Sequence, residues 1–131
     1  MNKYKNIFIV DDDKTYQFIL KNLLKKTEFD IQPLFFENGQ DALKILIEKI
    51  ENNACPDLIL LDINMPVMNG WQFLEEVRLL KFKFIFNTNI NLITSSNDIM
   101  DLRRAKSFEN EISNYYLKPI TLDDILNMFV C

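Results

Sequence analysis

Four of the five short apolar runs in this sequence end in side chains that could take part in chemistry. The first run is followed by Asp11 and Asp12, the third by Asp62, the fourth by Thr94 and the fifth by Lys118. If these runs are strands of one parallel sheet, their carboxyl ends meet at a single edge. The pattern therefore predicts that three carboxylates, a hydroxyl and an amine lie together.

Such a group of side chains has a definite chemical use. Carboxylates that share a cleft raise one another's pKa values unless a cation binds between them. Oxygen ligands favour Mg²⁺, which takes one or two carboxylates and keeps several waters. With a lysine and a hydroxyl nearby, the set predicts phosphoryl transfer to an aspartate, with Mg²⁺ as the cofactor. A lone aspartate after a strand more often caps a helix or forms a turn, so the prediction depends on all five residues together.

Composition excludes several other kinds of function. The 131 residues include no histidine and only two glycines, Gly39 and Gly70. Histidine-dependent catalysis and glycine-rich phosphate loops are therefore excluded. A net charge of −4 gives no basic footprint for direct contact with nucleic acid. The two cysteines, Cys55 and Cys131, fit no metal or redox spacing and are expected to be incidental thiols.

The same sequence carries no signal for export or for membrane insertion. The polar N-terminus leads into only a few apolar residues, too few for the core of a signal peptide. No apolar stretch approaches the ~20 residues that a membrane span needs. We therefore expect a cytoplasmic protein with no membrane contact.

Apolar runs alternate with amphipathic segments along the whole chain. The predicted strands are residues 7–10, 31–36, 58–61, 90–93 and 115–117. Apolar residues at helical spacing predict helices around residues 16–24, 42–50, 73–77, 98–108 and 122–130. Strict alternation predicts one α/β domain, residues 1–131, with a doubly wound parallel sheet covered by helices on both faces. Residues 81–89 fit either a strand or the end of the third helix.

Three groups of side chains outside the strand ends have simpler interpretations. Trp71 is expected to lie on the surface of the third helix. The phenylalanines at positions 82, 84 and 86 are expected to be partly buried, although an exposed aromatic patch would mark a partner site. Arg103 and Arg104 are expected on a solvated helix face.

Four segments together resemble the receiver domain of bacterial response regulators, over residues 5–129. They are the acidic pair in Ile9-Val10-Asp11-Asp12, the segment Leu60-Leu61-Asp62-Ile63-Asn64-Met65-Pro66-Val67-Met68-Asn69-Gly70, the pair Thr94-Ser95, and the pair Lys118-Pro119. The eleven-residue segment around Asp62 is very specific, whereas a Lys-Pro pair alone would be weak evidence. The resemblance implies a flavodoxin-like (βα)5 fold with strand order 2-1-3-4-5, in a single-domain regulator similar to chemotaxis regulators.

The resemblance also implies a role for each residue of the site. Asp62 would be the phosphoacceptor, Lys118 would pair with a phosphoryl oxygen, and the Thr94 hydroxyl would move in to meet another. The implied Mg²⁺ ligands are Asp12 and Asp62 directly, Asp11 mainly through water, and Asn64 through its backbone carbonyl. Tyr115 matches the rotating aromatic switch of the family, although the neighbouring Tyr116 leaves a register shift of one open. Pro119 matches a cis-proline.

Partners follow from the same resemblance. A sensor histidine kinase or phosphotransfer protein would supply the phosphoryl group, and a downstream protein would bind the face formed by helix four, strand five and helix five. Phosphorylation-dependent homodimerisation is compatible with this scheme. The chain departs from the family at residues 111–114, where a common Gly-Ala is absent, and at Ser96 and the Asn64 side chain, which occupy positions thought to tune phosphoryl lifetime.

Two other functions remain open at this stage. Asp11-Asp12-Asp13-Lys14-Thr15 also fits the motif of haloacid-dehalogenase-like phosphatases, with Asp11 as nucleophile and Asp13 as general acid. That enzyme class needs a later acidic pair after a strand, but Asp123-Asp124 falls in a predicted helix. The other alternative is a pseudo-receiver that binds a partner without being phosphorylated, because fold similarity alone does not establish activity.

Overall fold

The computed structural model describes residues 4–95 and 97–129. Within these ranges the strands are β1 (Asn6–Val10), β2 (Gln32–Phe36), β3 (Leu58–Leu61), β4 (Asn89–Thr94) and β5 (Asn114–Leu117). The helices are α1 (Lys14–Lys26), α2 (Gly39–Glu51), α3 (Gly70–Lys83), α4 (Ile99–Ser107) and α5 (Leu122–Phe129). The predictions for Ser96, for Cys131 and for the last residues of the fifth helix concern positions outside the described residues.

All five strands form one parallel sheet in the order β2-β1-β3-β4-β5. The predicted flavodoxin-like fold and its strand order are confirmed. From β1 the chain steps outward to β2 and then crosses to β3 on the other side of β1, so the strand order reverses between β1 and β3. In sheets of this kind ligands bind at the carboxyl ends of the strands beside that point.

The central strands are buried on both faces because helices cover both. In β1, Phe8 and Val10 pack in the apolar layer that also contains residues of α2 and α3, whereas Ile7 and Ile9 pack in the layer of α1 and α5. Every residue of β3 is buried. This two-sided burial explains why these strands appear in the sequence as continuous apolar runs without alternating polar residues.

Side-chain caps fix where the helices begin. Asp13, Asn38, Asn69 and Asp98 each accept a hydrogen bond from a backbone N–H in the first turn of the helix that follows. These bonds satisfy N–H groups that would otherwise lack a partner at a helix N-terminus. None of the helices in the described part of the chain has the length and hydrophobicity needed to cross a membrane.

The ambiguous segment at residues 81–89 ends the third helix and then forms a loop. Helix α3 runs to Lys83, and residues 84–88 connect it to β4. Phe84 and Phe86 are partly buried against the core, as predicted. The prediction for Phe82 is wrong, because its side chain is 86% exposed. Helical geometry places Phe82 on the same outer face of α3 as the exposed Leu79, three residues earlier.

The prediction that Trp71 lies on the surface is also wrong. Trp71 is only 3% exposed and stacks on Phe108, with 6.0 Å between the ring centroids. Because Asn69 caps α3, Trp71 falls in the first turn of the helix, on its buried face with Leu74. The guanidinium of Arg104 lies 5.3 Å from the Trp71 ring, while Arg103 and Arg104 are both exposed as expected.

Candidate functional site

The predicted site residues stand at the carboxyl ends of neighbouring strands. Asp11 follows β1, Asp62 follows β3, Thr94 is the last residue of β4, and Lys118 follows β5. Backbone hydrogen bonds extend the sheet into these positions, because Asp62 N–H donates to the Val10 carbonyl and Lys118 N–H to the Thr94 carbonyl. The parallel register therefore carries residues from distant parts of the sequence to one edge.

Three carboxylates form the centre of this edge. One oxygen from each of Asp11, Asp12 and Asp62 lies within 4.8 Å of the others. Asp11 and Asp62 are buried, with 3% and 8% of their surface exposed, whereas Asp12 faces solvent. The cluster thus offers oxygen ligands from two buried carboxylates and one exposed carboxylate, and it is open to water on the exposed side. Such a cluster suits a hard divalent cation that keeps part of its hydration shell.

Lys118 supplies the positive charge beside this cluster. Its ammonium Nζ lies 2.7 Å from Asp11 Oδ2, to which it donates a hydrogen bond, and 3.6 Å from Asp62 Oδ2. The other oxygen of Asp11 accepts the backbone N–H of Asp13 at 2.9 Å. Both oxygens of Asp11 are therefore engaged by the protein, which leaves Asp12 and Asp62 better placed to contact a cation directly.

The pKa of the Asp62 carboxyl is shifted by its surroundings. Burial raises its pKa to about 6, and the negative charge of Asp11 adds to that effect, while Lys118 and the Ile63 backbone N–H oppose it. Ile63 N–H donates to Asp62 Oδ1 at 2.9 Å. A cation placed among the three carboxylates would lower this pKa, because it stabilises the ionised form. The site therefore fits a divalent cation.

The pKa of Lys118 shifts in the opposite direction from the pKa of an isolated buried amine. Burial alone would lower its pKa, but the hydrogen bond to Asp11 and the attraction of Asp62 outweigh burial and raise the pKa above its ordinary value. The amine is therefore charged throughout the neutral range, and it balances part of the negative charge of the cluster.

Both glycines of the chain support the loop that carries Asp62. A Cβ atom on Gly70 would lie 2.5 Å from the Asp62 carbonyl oxygen, and one on Gly39 would lie 2.8 Å from the Met68 carbonyl oxygen. Neither contact is sterically acceptable. Gly70 N–H also donates to the Ile63 carbonyl at 2.8 Å, and this bond closes the loop. Asn64 is exposed within this loop, two residues after Asp62.

Thr94 and Tyr115 stand on β4 and β5, the last two strands of the sheet. Thr94 is completely buried at the end of β4. Tyr115 packs against the apolar layer of α2 and α3, whereas the next residue, Tyr116, packs against the layer of α1 and α5. The two rings thus occupy opposite faces of the sheet, as alternation requires. The peptide bond between Lys118 and Pro119 is cis, as the resemblance implied.

An ion pair occupies the region where the family's usual Gly-Ala is absent. Glu111 is buried, and its Oε1 accepts hydrogen bonds from the Arg78 guanidinium at 2.9 and 3.1 Å. Arg78 also donates to the Ser107 carbonyl and lies 4.4 Å from the centroid of the Phe108 ring. Through these contacts Arg78 of α3 binds the segment between α4 and β5.

Two residues of α1 belong to the site although no motif in the sequence selects them. Tyr16 lies under Lys118, with 4.2 Å between Nζ and the ring centroid. Gln17 donates from Nε2 to the Asp11 carbonyl at 2.6 Å. The helical pattern assigns Tyr16 only to the apolar face of the helix. The short distance along the chain from the end of β1 to the first turn of α1 is the sequence signal that could have indicated both contacts.

The structure does not favour the phosphatase alternative. The Asp13 side chain accepts hydrogen bonds from Thr15 N–H and Tyr16 N–H and so caps α1, which gives it a structural role instead of that of a general acid. Asp123 and Asp124 lie in the first turn of α5 and not after a strand. The pseudo-receiver alternative gains no support either, since each acidic position and the lysine are present at the site.

Known proteins resemble this chain over nearly its whole length. The family model of the response regulator receiver domain matches residues 7–130. Hybrid signal transduction histidine kinase E of Dictyostelium discoideum is 31% identical over 90% of this chain, which spans 6% of that protein. Response regulator Rcp1 of Synechocystis is 27% identical over 97% of this chain, which spans 85% of that protein. The chain thus spans only a small part of some relatives and most of others.

Solved structures agree with the sequence comparisons. The Mn²⁺-bound form of response regulator Rcp1 has a TM-score of 0.72 and 25% identity, covering 95% of this chain and 88% of that one. The receiver domain of Ssk1 from Saccharomyces cerevisiae, crystallised with the histidine phosphotransfer protein Ypd1, has a TM-score of 0.79 and 25% identity, covering 98% and 88%. The chain therefore belongs to the response regulator receiver domain family, the signalling domains of two-component systems.

Proposed function

We propose that this domain accepts a phosphoryl group on Asp62 from the phosphohistidine of a sensor kinase or phosphotransfer protein, with Mg²⁺ as cofactor. One observation carries the proposal. The carboxylates of Asp11, Asp12 and Asp62 converge within 4.8 Å, and the Lys118 ammonium lies 3.6 Å from Asp62. This edge thus combines a nucleophile with positive charge and cation ligands, which are the parts that phosphoryl transfer requires.

Asp12 and Asp62 would hold Mg²⁺ directly, together with the backbone carbonyl of Asn64. Asp11 would act through water, because Lys118 and the Asp13 N–H already engage its two oxygens. The Mn²⁺-bound structure of the related Rcp1 supports a divalent ion in this kind of site. When bound, the ion supplies positive charge that offsets the charge on the phosphoryl oxygens.

In the proposed reaction the phosphoryl group passes from a histidine nitrogen to an Asp62 oxygen. An oxygen of the ionised Asp62 carboxylate attacks phosphorus, and the phosphorus–nitrogen bond to histidine breaks. The imidazole takes the bonding electron pair and, because its other ring nitrogen carries a proton in the donor, leaves as the neutral ring. The product is a mixed anhydride of Asp62 and phosphate, stabilised by Lys118. Later attack of water at phosphorus releases inorganic phosphate and restores the carboxylate. In this proposal the domain catalyses only its own phosphorylation and dephosphorylation.

Phosphorylation would then shift the population of a protein-binding face. The Thr94 hydroxyl and Lys118 would each meet a phosphoryl oxygen, and only their differential contacts in the two states can move the equilibrium. The Tyr115 ring would move together with the Thr94 side chain. Ile99, Met100 and Leu117 are 62%, 66% and 47% exposed on α4 and β5. Exposed apolar side chains of this kind suit a downstream protein, or a second phosphorylated copy.

The proposed donors follow from the relatives. One of the similar proteins is a hybrid histidine kinase. One of the similar solved structures contains a receiver domain bound to a histidine phosphotransfer protein. The acidic net charge of −4 supports protein partners and not direct contact with nucleic acid. The proposal extends to a cytoplasmic site of action, since the chain's two cysteines fit no disulfide pattern.

Intact-protein mass spectrometry tests the proposal. The protein is incubated with acetyl phosphate or phosphoramidate, with Mg²⁺ or with a chelator, beside Asp62→Asn. We expect a gain of one phosphoryl group that requires Mg²⁺ and is absent in the variant. Wild-type protein that gains nothing from either donor or from a histidine-phosphorylated protein would contradict the proposal and favour a pseudo-receiver. Phosphorylation that survives in Asp62→Asn would contradict the assignment of the acceptor.

A further inference from the structure

Tyr16 makes a close contact with the ammonium group of Lys118. It lies in the first turn of α1, three residues after the helix cap Asp13, and is only 8% exposed. The centroid of its ring is 4.2 Å from Lys118 Nζ. Within about 6 Å, a cation over the face of an aromatic ring is attracted by the negative charge of that face, and the attraction grows as water is excluded. This contact therefore restrains the ammonium group.

The hydroxyl of Tyr16 contacts the same segment through the backbone. Its oxygen accepts a hydrogen bond from the N–H of Ile120 at 2.8 Å, in a buried environment. Ile120 follows Lys118 by two residues. Tyr16 thus contacts both the tip of the lysine side chain and the backbone from which that side chain extends, although it comes from the opposite end of the sequence.

A lysine has four rotatable side-chain bonds, so its ammonium occupies one position only where several contacts hold it. Here Asp11 accepts a hydrogen bond from it at 2.7 Å, and Asp62 lies 3.6 Å away. Both carboxylates also face the proposed cation and phosphoryl group, so their hold on the lysine changes when those groups bind. The Tyr16 ring takes no part in that chemistry and can keep its contact.

We infer that Tyr16 is a positioning residue for Lys118, and that it holds the ammonium where a phosphoryl oxygen on Asp62 would lie. The inference rests on the proposed function for its effect on phosphorylation, but the contact itself does not. Tyr16 also packs in the apolar layer of α1 and α5. A purely structural residue would influence phosphorylation whether or not Lys118 is present, whereas a residue that acts through Lys118 would not.

A double-mutant cycle separates these two roles. Initial rates of phosphorylation by acetyl phosphate with Mg²⁺ are measured for wild type, Tyr16→Leu, Lys118→Ala and the double variant. We expect Tyr16→Leu to slow phosphorylation about tenfold when Lys118 is present and less than about twofold when it is absent. Tyr16→Phe, which keeps the ring, should restore the rate to within about threefold of wild type. Equal slowing in both backgrounds would overturn the inference.

Tyr4 provides a matched control for loss of a buried tyrosine. It is also 8% exposed, packs edge-on against Phe129, and accepts a hydrogen bond from Asn89 Nδ2 at 3.0 Å. Tyr4 lies just before β1, at the amino ends of the strands, whereas Lys118 lies at the carboxyl ends. Tyr4→Leu should therefore reduce stability without slowing phosphorylation. If Tyr4→Leu and Tyr16→Leu slow phosphorylation equally, general destabilisation explains the effect and the inference fails.

A spectroscopic measurement tests the contact independently of phosphorylation. Protons over the face of an aromatic ring resonate upfield, so the ε-methylene of Lys118 should show an upfield shift in the nuclear magnetic resonance spectrum of wild type. The shift should remain in Tyr16→Phe and disappear in Tyr16→Leu, with Lys118→Arg identifying the signal. A Lys118 signal that Tyr16→Leu does not change would overturn the inference. Wild-type protein that keeps this shift but takes up no phosphoryl group would contradict the proposed function alone.

Discussion

Replacing Asp62 by asparagine should stabilise the domain when no metal is bound. The substitution removes a charge from a buried cluster and preserves the shape of the side chain. In the folded protein the pKa of Asp62 rises from 3.8 to about 6, mainly because the carboxyl is buried and because Asp11 is negative. The ionised form is therefore less stable in the folded state than in the unfolded chain, and an asparagine at this position would avoid that penalty.

The magnitude follows from the shift in pKa. A rise of about two units corresponds to about 3 kcal/mol at a pH above both values. Because asparagine also leaves Lys118 with one fewer negative neighbour, we expect a net increase of about 2 kcal/mol in the free energy of unfolding. For a domain of this size that increase raises the midpoint of thermal unfolding by about 7 °C.

The stability of the wild-type domain should depend on pH through Asp62. The folded state binds a proton at Asp62 more tightly than the unfolded state, so the wild-type protein loses stability as pH rises from about 4 through about 6. The advantage of Asp62→Asn should therefore be greatest near pH 8 and small near pH 4, on the scale that these pKa values set. Mg²⁺ should reduce it at high pH, because an ion bound to the wild type stabilises its folded state.

Urea unfolding in a chelating buffer, followed by circular dichroism, measures these differences. Asp57→Asn is a suitable control, since Asp57 accepts backbone hydrogen bonds from Lys5 and Asn6 at the opposite edge of the sheet. A variant no more stable than wild type near pH 8, at which Asp62 should be ionised, would refute the reasoning. So would a gain that does not diminish at low pH, because only removal of a titrating charge predicts that change.

Four further substitutions test other parts of the site. Asp12→Asn should weaken Mg²⁺ binding at least about tenfold in calorimetry, because a direct ligand is lost; unchanged affinity would contradict the assignment. Lys118→Ala should still take up a phosphoryl group from acetyl phosphate, more slowly, but hydrogen exchange on the α4–β5–α5 face should no longer respond; a full response would contradict its role. Gly70→Ala should lower the free energy of unfolding by about 2 kcal/mol or more, because the alanine Cβ would lie 2.5 Å from the Asp62 carbonyl oxygen. A variant as stable as wild type in urea unfolding would contradict this prediction. Val67→Asn should raise stability by about 1 kcal/mol in the same assay, because Val67 has φ of 67° and is 73% exposed; a loss would show that the valine side chain contributes more than the backbone strain.

The sequence predicts most of the fold because the central strands are buried on both faces. Continuous apolar runs such as the one before Asp62 appear where helices cover a parallel strand above and below. Four of the five runs end where the chain reaches the carboxyl edge of the sheet, so the polar residues that follow them mark the site. Simple topology was therefore enough to predict that Asp11, Asp62 and Lys118 meet.

Details that depend on packing between distant segments could not be predicted in the same way. Trp71 is buried because Phe108, after the end of α4, stacks on it. Nothing in the sequence near Trp71 specifies that partner. The contact between Tyr16 and Lys118 likewise depends on two side-chain rotamers and on the approach of α1 to the loop after β5. Helical periodicity identifies Tyr16 as inward-facing but does not say what it meets.

The most direct test of the proposed function is to identify the phosphorylated residue. Protein treated with acetyl phosphate and Mg²⁺ is reduced with borohydride, which converts an aspartyl phosphate to homoserine, and its peptides are sequenced by tandem mass spectrometry. We predict homoserine at position 62 and unmodified aspartate at positions 11 and 12, with no conversion when Mg²⁺ is omitted. Homoserine at position 11, or Mg²⁺-dependent phosphorylation that leaves Asp62 unmodified, would contradict the proposed function.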